Sequence, residues 1–388
     1  MADNRKGVWD LQLVRDERLQ GDWTYDADQD LKLPSELFAS GDNATYGGLG
    51  QNDIIPRSSP VQVPGTQWIG LNSGRYSDKV AWKNDNTMWV WGYNGYGQLG
   101  LNNVVPYSSP VQVPGTQWKY TLYNHAGETS KASVKTDGTL WSWGWGGRGN
   151  LGVNDIINYS SPIQVPGTQW SKAFSGPTRH SGIKTDGTLW VWGRNNYGGL
   201  GINSTEFGRS SPHQLPGTEW KQHAQSYYWA MATKTDGTLW SWGRMQGGCL
   251  GLNDASTHRS SPTQIPGTQW AVCQTDIYNA TTGAAVKTDG TLWVWGYANS
   301  GMLGQNSLVQ YSSPRQIPGT EWTTRIAVGQ NSMTCTKTDG TLWAWGNNES
   351  GNFGLNDLSR LSSPTQIPGT QWMMSVTDDY NVLALKNV

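Results

Sequence analysis

Hydrophobic and polar residues alternate with period two along short segments of the chain. In residues 140–143, Leu-Trp-Ser-Trp, the alternation is preceded, one residue away, by an Asp-Gly pair, which is a strong tight-turn signal between two strands. A second kind of segment, Ser-Ser-Pro-Val-Gln-Val-Pro-Gly at 108–115, is bracketed by prolines. Because proline cannot donate to a β-ladder, a strand here must lie at a sheet edge. The pattern therefore predicts hairpins, each followed by an edge strand.

These segments belong to a tandem repeat. Pro-Gly-Thr-Gln/Glu-Trp occurs seven times, ending at tryptophans that are 50 or 52 residues apart. A second signature, Lys-Thr-Asp-Gly-Thr-Leu-Trp-x-Trp-Gly, is clear in six copies. Adding the strand after each first signature gives roughly four strands in about fifty residues, which is the size of a propeller blade. The sequence therefore predicts an all-β fold, a seven-bladed β-propeller over residues 31–388, preceded by a short arm over residues 1–30.

The two ends of the repeat region complement each other. Residues 386–388 stop where the other copies continue into the Asp-Gly turn, and residues 35–41 resume where the others read Gly-Thr-Leu-Trp-x-Trp-Gly. We therefore expect the first blade to be shared, with a strand near 382–385 pairing beside a strand around Leu37. Such pairing closes the ring and removes open sheet edges. Phe38 and Ser40 replace the two tryptophans in this blade, so its packing is expected to differ most.

Composition narrows the function classes. Only 36% of the residues are hydrophobic and 15% charged, while the chain has 49 glycines, 18 prolines and 24 tryptophans, which disfavours a helical bundle. The net charge of −1 supplies no global field for nucleic acid or an anionic membrane. Three separated cysteines exclude a disulfide framework. Without a signal peptide or a long apolar run, we expect synthesis in the cytoplasm and no membrane insertion.

The glycine-rich segment Trp-Gly-Tyr-Asn-Gly-Tyr-Gly-Gln-Leu-Gly at 91–100 resembles the repeat of the regulator of chromosome condensation family. The resemblance covers residues 31–388 and implies a seven-bladed propeller. Functions in that family include nucleotide exchange on a small GTPase, chromatin binding and inhibition of hydrolases. Residues 1–30 carry four basic and eight acidic side chains, which argues against a chromatin-binding tail and against a nucleic-acid partner.

A second resemblance concerns the arm. Residues 7–11 and 19–23 are similar to short arms that precede such repeats in structural proteins of tailed bacteriophages. This implies a non-enzymatic virion component, a tail fibre, baseplate or capsid-decoration protein, present in multiple copies and bound to other virion structural proteins through residues 1–30. An arm that packs back across its own propeller is the alternative. The apolar residues expected to dock are Val8, Trp9, Leu11, Leu13, Val14 and Trp23.

The candidate binding surface is the segment between each Pro-Gly-Thr-x-Trp tryptophan and the following Lys-Thr-Asp-Gly lysine, where little but length recurs. It joins two inner strands, so seven copies should ring one mouth of the central channel. We expect this mouth to bind a host surface polysaccharide or protein through aromatic, amide and charged side chains. The alternative is that some of the aromatics only pack under the loops. The candidates are Arg75, Tyr76, Tyr123, Asn124, His125, Arg179, His180, Tyr227, Tyr228, Trp229, Tyr278, Asn279, Asn331, Asp378, Asp379 and Tyr380.

No catalytic or metal-binding constellation is found. The five histidines are spread over three repeat units without a His-Glu-x-x-His motif, and His180 is expected to make a structural hydrogen bond. An asparagine recurs once per repeat, which favours a turn-capping side chain over a calcium ligand because no unit supplies several carboxylates. We therefore predict no cofactor, no metal and no enzymatic activity. The alternative to a virion component is a soluble regulatory propeller that binds protein, such as a hydrolase inhibitor or an exchange factor. The recurring asparagines are Asn52, Asn102, Asn154, Asn203, Asn253, Asn306 and Asn356.

Overall fold

A computed structural model describes residues 35–74, 78–120, 127, 129–276, 281–378 and 381–387. These residues form β-strands joined by turns, with two single-turn 3-10 helices at Asn196–Gly198 and Asn299–Gly301 and no α-helix among them. The arm predicted over residues 1–30 lies outside the described residues, so the interpretation of that arm is neither confirmed nor contradicted.

The strands form seven sheets that make up seven blades. We number the strands in chain order and call the four strands of a blade a, b, c and d, from the channel outwards. Blade 1 has the order β26-β27-β1-β2, with a and b from the C-terminal end and c and d from the N-terminal end. Its strands are β1 (Ser35–Gly41), β2 (Arg57–Gln62), β26 (Trp372–Thr377) and β27 (Asn381–Asn387).

Blades 2 and 4 to 7 each have four antiparallel strands in chain order, and blade 3 has three. In blade 3, an isolated bridge between Trp118 and Lys135 takes the place of strand a. The strands are β3 (Trp68–Ser73), β4 (Lys79–Lys83), β5 (Met88–Gly92) and β6 (Tyr107–Gln112) in blade 2; β7 (Ser130–Val134), β8 (Leu140–Gly144) and β9 (Tyr159–Val165) in blade 3; β10 (Trp170–Ser175), β11 (Arg179–Lys184), β12 (Leu189–Gly193) and β13 (Arg209–Gln214) in blade 4; β14 (Trp220–Gln225), β15 (Trp229–Lys234), β16 (Leu239–Gly243) and β17 (Arg259–Ile265) in blade 5; β18 (Trp270–Thr275), β19 (Thr282–Lys287), β20 (Leu292–Gly296) and β21 (Tyr311–Gln316) in blade 6; β22 (Trp322–Val328), β23 (Ser332–Lys337), β24 (Leu342–Gly346) and β25 (Leu361–Ile367) in blade 7.

The predicted hairpin turn between strands b and c is present. In blade 3, Gly138 has a φ of 78°, a left-handed conformation that glycine adopts without steric cost. The Asp137 carboxylate accepts hydrogen bonds from the Thr139 amide at 2.9 Å and the Thr139 hydroxyl at 2.6 Å. Thr139 Oγ1 in turn accepts a hydrogen bond from the indole of Trp141 at 2.8 Å. The turn thus fixes the side chain of Trp141 near the start of strand c.

Each blade also places a lysine against tryptophan rings. In blade 3 the ammonium of Lys135 lies 4.8 Å from the ring centroid of Trp118 and 4.3 Å from that of Trp141. The equivalent lysines of blades 2 and 4 to 7 contact two tryptophans in the same way. Nearly all the repeated tryptophans therefore serve the scaffold, as the sequence predicted.

Neighbouring blades are held together by two recurring hydrogen bonds. The second tryptophan of strand c donates its indole N–H to a backbone carbonyl of the preceding blade, as Trp192 does to Asn150 at 2.9 Å. The recurring asparagine donates its backbone N–H to a serine on strand d of the next blade, as Asn154 does to Ser210 at 2.7 Å. Asn154 has a φ of 64°, a left-handed conformation that asparagine tolerates better than most residues. These asparagines occupy turns, as predicted, but the expected capping by their side chains is not what the structure shows. The Oδ1 atom of Asn102, for example, accepts a hydrogen bond from the hydroxyl of Ser161 on the next blade at 3.1 Å.

The two ends of the repeat region close the ring as predicted. Leu37 of β1 pairs with Leu385 of β27, so the two ends of the repeat region share one sheet. Ser40 stands where the other blades have the second tryptophan, and its hydroxyl donates to the carbonyl of Asn352 at 2.9 Å. A serine thus keeps the inter-blade hydrogen bond of the missing indole, and blade 1 differs from the others in side-chain size more than in contact pattern.

Candidate functional site

The antiparallel register places two sets of loops on the same face of the propeller. In blade 4, Ser175 at the end of strand a pairs with His180, and Arg179 at the start of strand b pairs with Gly193 at the end of strand c. Gly193 in turn pairs with Arg209 at the start of strand d. The a–b loops and the c–d loops therefore emerge together, and we call this side the mouth face. The b–c turns and the Pro-Gly-Thr loops lie on the opposite side.

More than half of the predicted mouth residues, like all the predicted docking residues of the arm, lie outside the described residues. Their roles stay predictions. Of the others, Arg179, His180, Trp229 and Asp378 are buried, and Tyr227, Tyr228 and Asn331 are partly exposed. The mouth residues outside the described part are Arg75, Tyr76, Tyr123, Asn124, His125, Tyr278, Asn279, Asp379 and Tyr380.

Arg179 links two blades from a buried position. Its guanidinium donates to the carbonyl of Gly199 at 2.6 Å and to the carbonyl of Tyr227, on the next blade, at 2.8 Å. Burial, followed by the nearby positive charge of Arg194, lowers the pKa of Arg179 to about 9. Arg179 is buried rather than on an exposed binding surface, because two of its donors bind backbone carbonyls in the loops of blades 4 and 5.

His180 is also internal, as the structural interpretation proposed. Its Nε2 lies 3.0 Å from the hydroxyl of Ser130 on blade 3. Burial, with a smaller contribution from Lys131, lowers the pKa of His180 to about 3, so the ring is neutral at physiological pH. Placing His180 on the binding surface is therefore wrong.

A second buried histidine, which the sequence did not single out, repeats this contact one blade on. His223 Nδ1 lies 2.7 Å from the hydroxyl of Ser181, and its ring stacks on Trp242 with a centroid distance of 5.4 Å. Burial lowers the pKa of His223 to about 3 as well. Together the two histidines connect blades 3, 4 and 5.

Trp229 and Asp378 are buried for different reasons. Trp229 packs in a hydrophobic cluster with Met231 and Met245, so the expectation that it contacts a ligand is wrong. Asp378 forms a buried ion pair with Lys79 across the interface of blades 1 and 2, and also accepts a hydrogen bond from the hydroxyl of Ser73 at 2.9 Å. The prediction that Asp378 lies on the binding surface is wrong, because its carboxylate is buried and paired with Lys79 between two blades.

A similar buried pair joins the next two blades. Lys131 of blade 3 pairs with Asp78, which precedes strand b of blade 2. Burial raises the pKa of Asp78, and the Lys131 ammonium opposes that shift. The inner ends of blades 1 to 5 are thus connected by charged and polar contacts rather than by apolar packing alone.

Tyr227 and Tyr228 are part of a larger cluster on the mouth face. The guanidinium carbon of Arg194 lies 5.5 Å from the ring centroids of both tyrosines. The guanidinium carbon of Arg244 lies 5.1 Å from the ring centroid of Tyr228 and 5.0 Å from that of Tyr197. We call these five residues and His258, whose ring centroid is 5.2 Å from that of Tyr197, the arginine–tyrosine stack.

Sequence reasoning missed the two arginines of this stack, although a signal was present. Each follows the invariant Trp-Gly that ends strand c, a position occupied by tyrosine, tryptophan or asparagine in the other copies with that dipeptide. A variable position directly after a fixed dipeptide is the same kind of signal that identified the a–b loops. The same variability at the start of the c–d loops marks both arginines.

The c–d loops also carry exposed apolar side chains that the sequence analysis did not single out. In six of the seven blades, one or two such residues follow the recurring asparagine by two to four positions. Phe207 is the extreme case, with 93% of its surface exposed. The residues are Ile54, Ile55, Val104, Val105, Ile156, Ile157, Phe207, Leu308, Val309 and Leu358, which we call the apolar tips.

In the described part of the chain, no group of three or more histidine, cysteine, aspartate or glutamate side chains is arranged to hold a metal ion. No helix in that part has the length and apolar character needed to cross a membrane.

The repeats match the family model for the regulator of chromosome condensation (RCC1) repeat in six segments that together cover more than half of the chain. The matched residues are 85–121, 137–181, 186–226, 236–273, 289–335 and 339–377. The chain belongs to the RCC1 repeat family. The predicted resemblance is thereby confirmed.

Solved RCC1-type propellers share the fold at low sequence identity. Prp20p from Saccharomyces cerevisiae is 18% identical with a TM-score of 0.79, covering 93% of this chain and 94% of its own. Yeast RCC1 (Prp20) bound to Kap60 is 17% identical with a TM-score of 0.80, covering 93% and 92%. Human WBSCR16 is 20% identical with a TM-score of 0.76, covering 91% and 99%. No curated protein matches the sequence.

Proposed function

We propose that this RCC1-repeat propeller is a non-enzymatic binding module that docks a partner protein on its mouth face. The observation that carries the proposal is the ring of apolar tips. Exposed apolar groups that recur on one side of a protein mark an interaction surface. The opposite side supports this choice, because its turns are nearly identical in every repeat and serve the scaffold.

The same face also offers polar recognition. Tyr227 and Tyr228 are partly exposed and stand beside Arg194 and Arg244. Tyrosine and arginine are enriched among the residues that dominate binding energy at protein interfaces. A face that carries both apolar tips and this aromatic and cationic cluster therefore suits a protein partner.

The proposal is tested by substituting apolar tips and measuring affinity for a purified partner. The full chain is used to capture partners from extracts of the cells that make it, and the dissociation constant of each captured protein is then measured with purified components. The triple variant Ile156→Ser, Ile157→Ser and Phe207→Ser should bind at least about 10-fold more weakly, a loss of roughly 1.4 kcal/mol. The melting temperature should not change because all three side chains are exposed.

The control is Thr136→Glu, an exposed position in a b–c turn on the opposite side. It should leave the affinity unchanged. Equal binding by the triple variant and the wild-type chain, or the absence of any stoichiometric protein partner, would contradict a docking function for the mouth face.

We also propose the more specific role that the arm motivates, a virion component bound to other structural proteins through residues 1–30. Its support is the alternation of apolar and charged residues in a segment too short to fold alone. A particle-attached propeller would present its mouth face to a protein or polysaccharide of the host surface. Mass spectrometry of purified particles should detect the chain, and deletion of residues 1–30 should abolish its incorporation.

The alternative role is a soluble regulatory propeller. Its support is the fold shared with Prp20p, whose structure was reported with its binding properties to Gsp1p and histones. Capture of a stoichiometric small GTPase by the full chain, with accelerated nucleotide release, would favour this role over the virion component.

A further inference from the structure

We infer that the arginine–tyrosine stack binds a carboxylate-bearing segment of the partner protein. This inference rests on the proposed docking of a protein on the mouth face, and it names the chemistry of one contact there. Three features support it. Two guanidiniums lie between aromatic rings, neither has an acidic partner among the described residues, and exposed apolar residues lie on the same face.

The stack alternates rings and cations across two blades. Arg194, which follows strand c of blade 4, lies against Tyr227 and Tyr228 of blade 5. Arg244, which follows strand c of blade 5, lies against Tyr228 and Tyr197. Tyr228 is therefore shared by both guanidiniums. A guanidinium that rests on a ring loses side-chain freedom before any ligand arrives, so less entropy is lost when its N–H groups bind an acceptor.

Neither guanidinium is neutralised within the described part of the chain. No carboxylate there lies within 4.0 Å of Arg194 or Arg244, whereas the acids of the same two loops pair with other arginines. Glu206 pairs with Arg209, and Asp254 pairs with Arg259.

One donor of the stack also has no hydrogen-bond partner in the described part of the chain. The Nε atom of Arg194 is buried without a hydrogen-bond partner among the described residues. A buried donor of a charged group is costly when unpaired, so an acceptor from outside would be stabilised here.

A third cation strengthens the local positive potential. Arg179 is buried beneath the loop of blade 5 and donates to the Tyr227 carbonyl at 2.8 Å. The positive charge of Arg194 contributes to lowering the pKa of Arg179, which places the two guanidiniums within electrostatic reach of each other. A carboxylate bound at the stack would offset this repulsion.

The surroundings favour a protein over a polysaccharide as the source of the carboxylate. Phe207 is in the same c–d loop as Tyr197 and is almost completely exposed. Ile156 and Ile157 are exposed on the adjacent blade 3. An acidic segment that also carries apolar side chains covers both features, whereas an acidic polysaccharide leaves the aliphatic side chains in water.

The test measures binding of three probes to the full chain by fluorescence anisotropy. The probes are a labelled peptide of alternating glutamate and leucine, the same peptide with glutamine in place of glutamate, and a labelled alginate oligosaccharide. We expect the glutamate peptide to bind at least 10-fold more tightly than the other two. We also expect its affinity to fall as salt rises from 50 to 150 mM.

Two variants assign the binding to the stack. The double variant Arg194→Gln/Arg244→Gln should weaken binding of the glutamate peptide at least 10-fold. The matched control is Arg315→Gln, which removes an arginine that stacks on Tyr311 at 5.0 Å in the outer strand of blade 6, and it should change the affinity less than twofold. The variant Arg194→Lys/Arg244→Lys keeps the charge but not the planar fork, so it should bind with intermediate affinity and serves if the glutamine variant does not fold.

The inference is overturned if the double variant binds the glutamate peptide as the wild-type chain does, or if the alginate oligosaccharide binds as tightly as the peptide. Its failure is distinguishable from that of the proposed function. A partner that requires the apolar tips but binds the Arg194→Gln/Arg244→Gln variant unchanged leaves the docking function intact and removes only the carboxylate contact.

Discussion

The two buried histidines should make the propeller lose stability as the pH falls from 7 to 5. His180 and His223 each have a pKa of about 3 in the folded protein, compared with 6.5 for an ordinary histidine. Below pH 6.5 the unfolded chain takes up protons at both residues, and the folded chain does not. The free energy of unfolding therefore decreases with decreasing pH until it levels off near pH 3.

The size of the effect follows from the pKa difference. A pH of 5 is about 1.5 units below the pKa of each histidine in the unfolded chain. This difference lowers the free energy of unfolding by about 2 kcal/mol per residue and about 4 kcal/mol for the pair. Carboxylates with a lowered pKa, such as Asp254 with a pKa of about 2, lose stabilising interactions mainly below pH 5, because their unfolded pKa is 3.8. Among the groups whose pKa is lowered in the folded protein, the two histidines therefore dominate the change between pH 7 and 5.

Urea unfolding monitored by circular dichroism at pH 7, 6 and 5 measures this slope. The variant His180→Gln/His223→Gln should be less stable at pH 7, and its free energy of unfolding should change little between pH 7 and 5. His213→Gln is the control, because that residue is an exposed side chain on strand d, and it should keep the wild-type slope. A wild-type free energy that is constant from pH 7 to 5, or an equal slope in the double variant, would refute the burial argument.

Three further substitutions test the contacts between blades, each by chemical denaturation at pH 7. Asp378→Asn leaves the buried ammonium of Lys79 without its charged partner and should cost about 3–5 kcal/mol, whereas Asp378→Leu/Lys79→Met should cost much less. Asn154→Ala puts an alanine at a φ of 64° and should cost about 1–2 kcal/mol, and Asn154→Gly should be close to neutral. Trp192→Phe leaves the Asn150 carbonyl without its indole donor and should cost about 1–3 kcal/mol.

The fold could be predicted from the sequence because each blade repeats the same local chemistry. The Asp-Gly turn, the prolines of strand d and the recurring asparagine each restrict the backbone independently of the rest of the chain. Seven copies then fix the blade number. The pairing of the two terminal strands also followed from the repeat, and the structure adds its register, with Leu37 opposite Leu385.

The sequence indicated a candidate site but not which of its side chains are exposed. Variability identified the a–b loops, yet it could not show that Arg179 and Trp229 turn inwards, because burial there depends on the carbonyls and side chains of the next blade. The charge of Asp378 looked available until Lys79, about 300 residues away, was seen to neutralise it. The sequence of a single repeat does not show which distant residue will pair with a given side chain.

The pairing of β1 with β27 also has a consequence for biosynthesis. β1 is among the first propeller strands to leave the ribosome, and its b-strand neighbour is among the last. At about 5–20 residues per second, roughly 20–70 s pass before β27 can add to that edge. Throughout this interval the nascent chain exposes an unpaired strand edge of the kind that promotes intermolecular pairing. Chaperone demand should therefore peak late in translation, and slow synthesis should increase aggregation of this chain even when the finished propeller is stable.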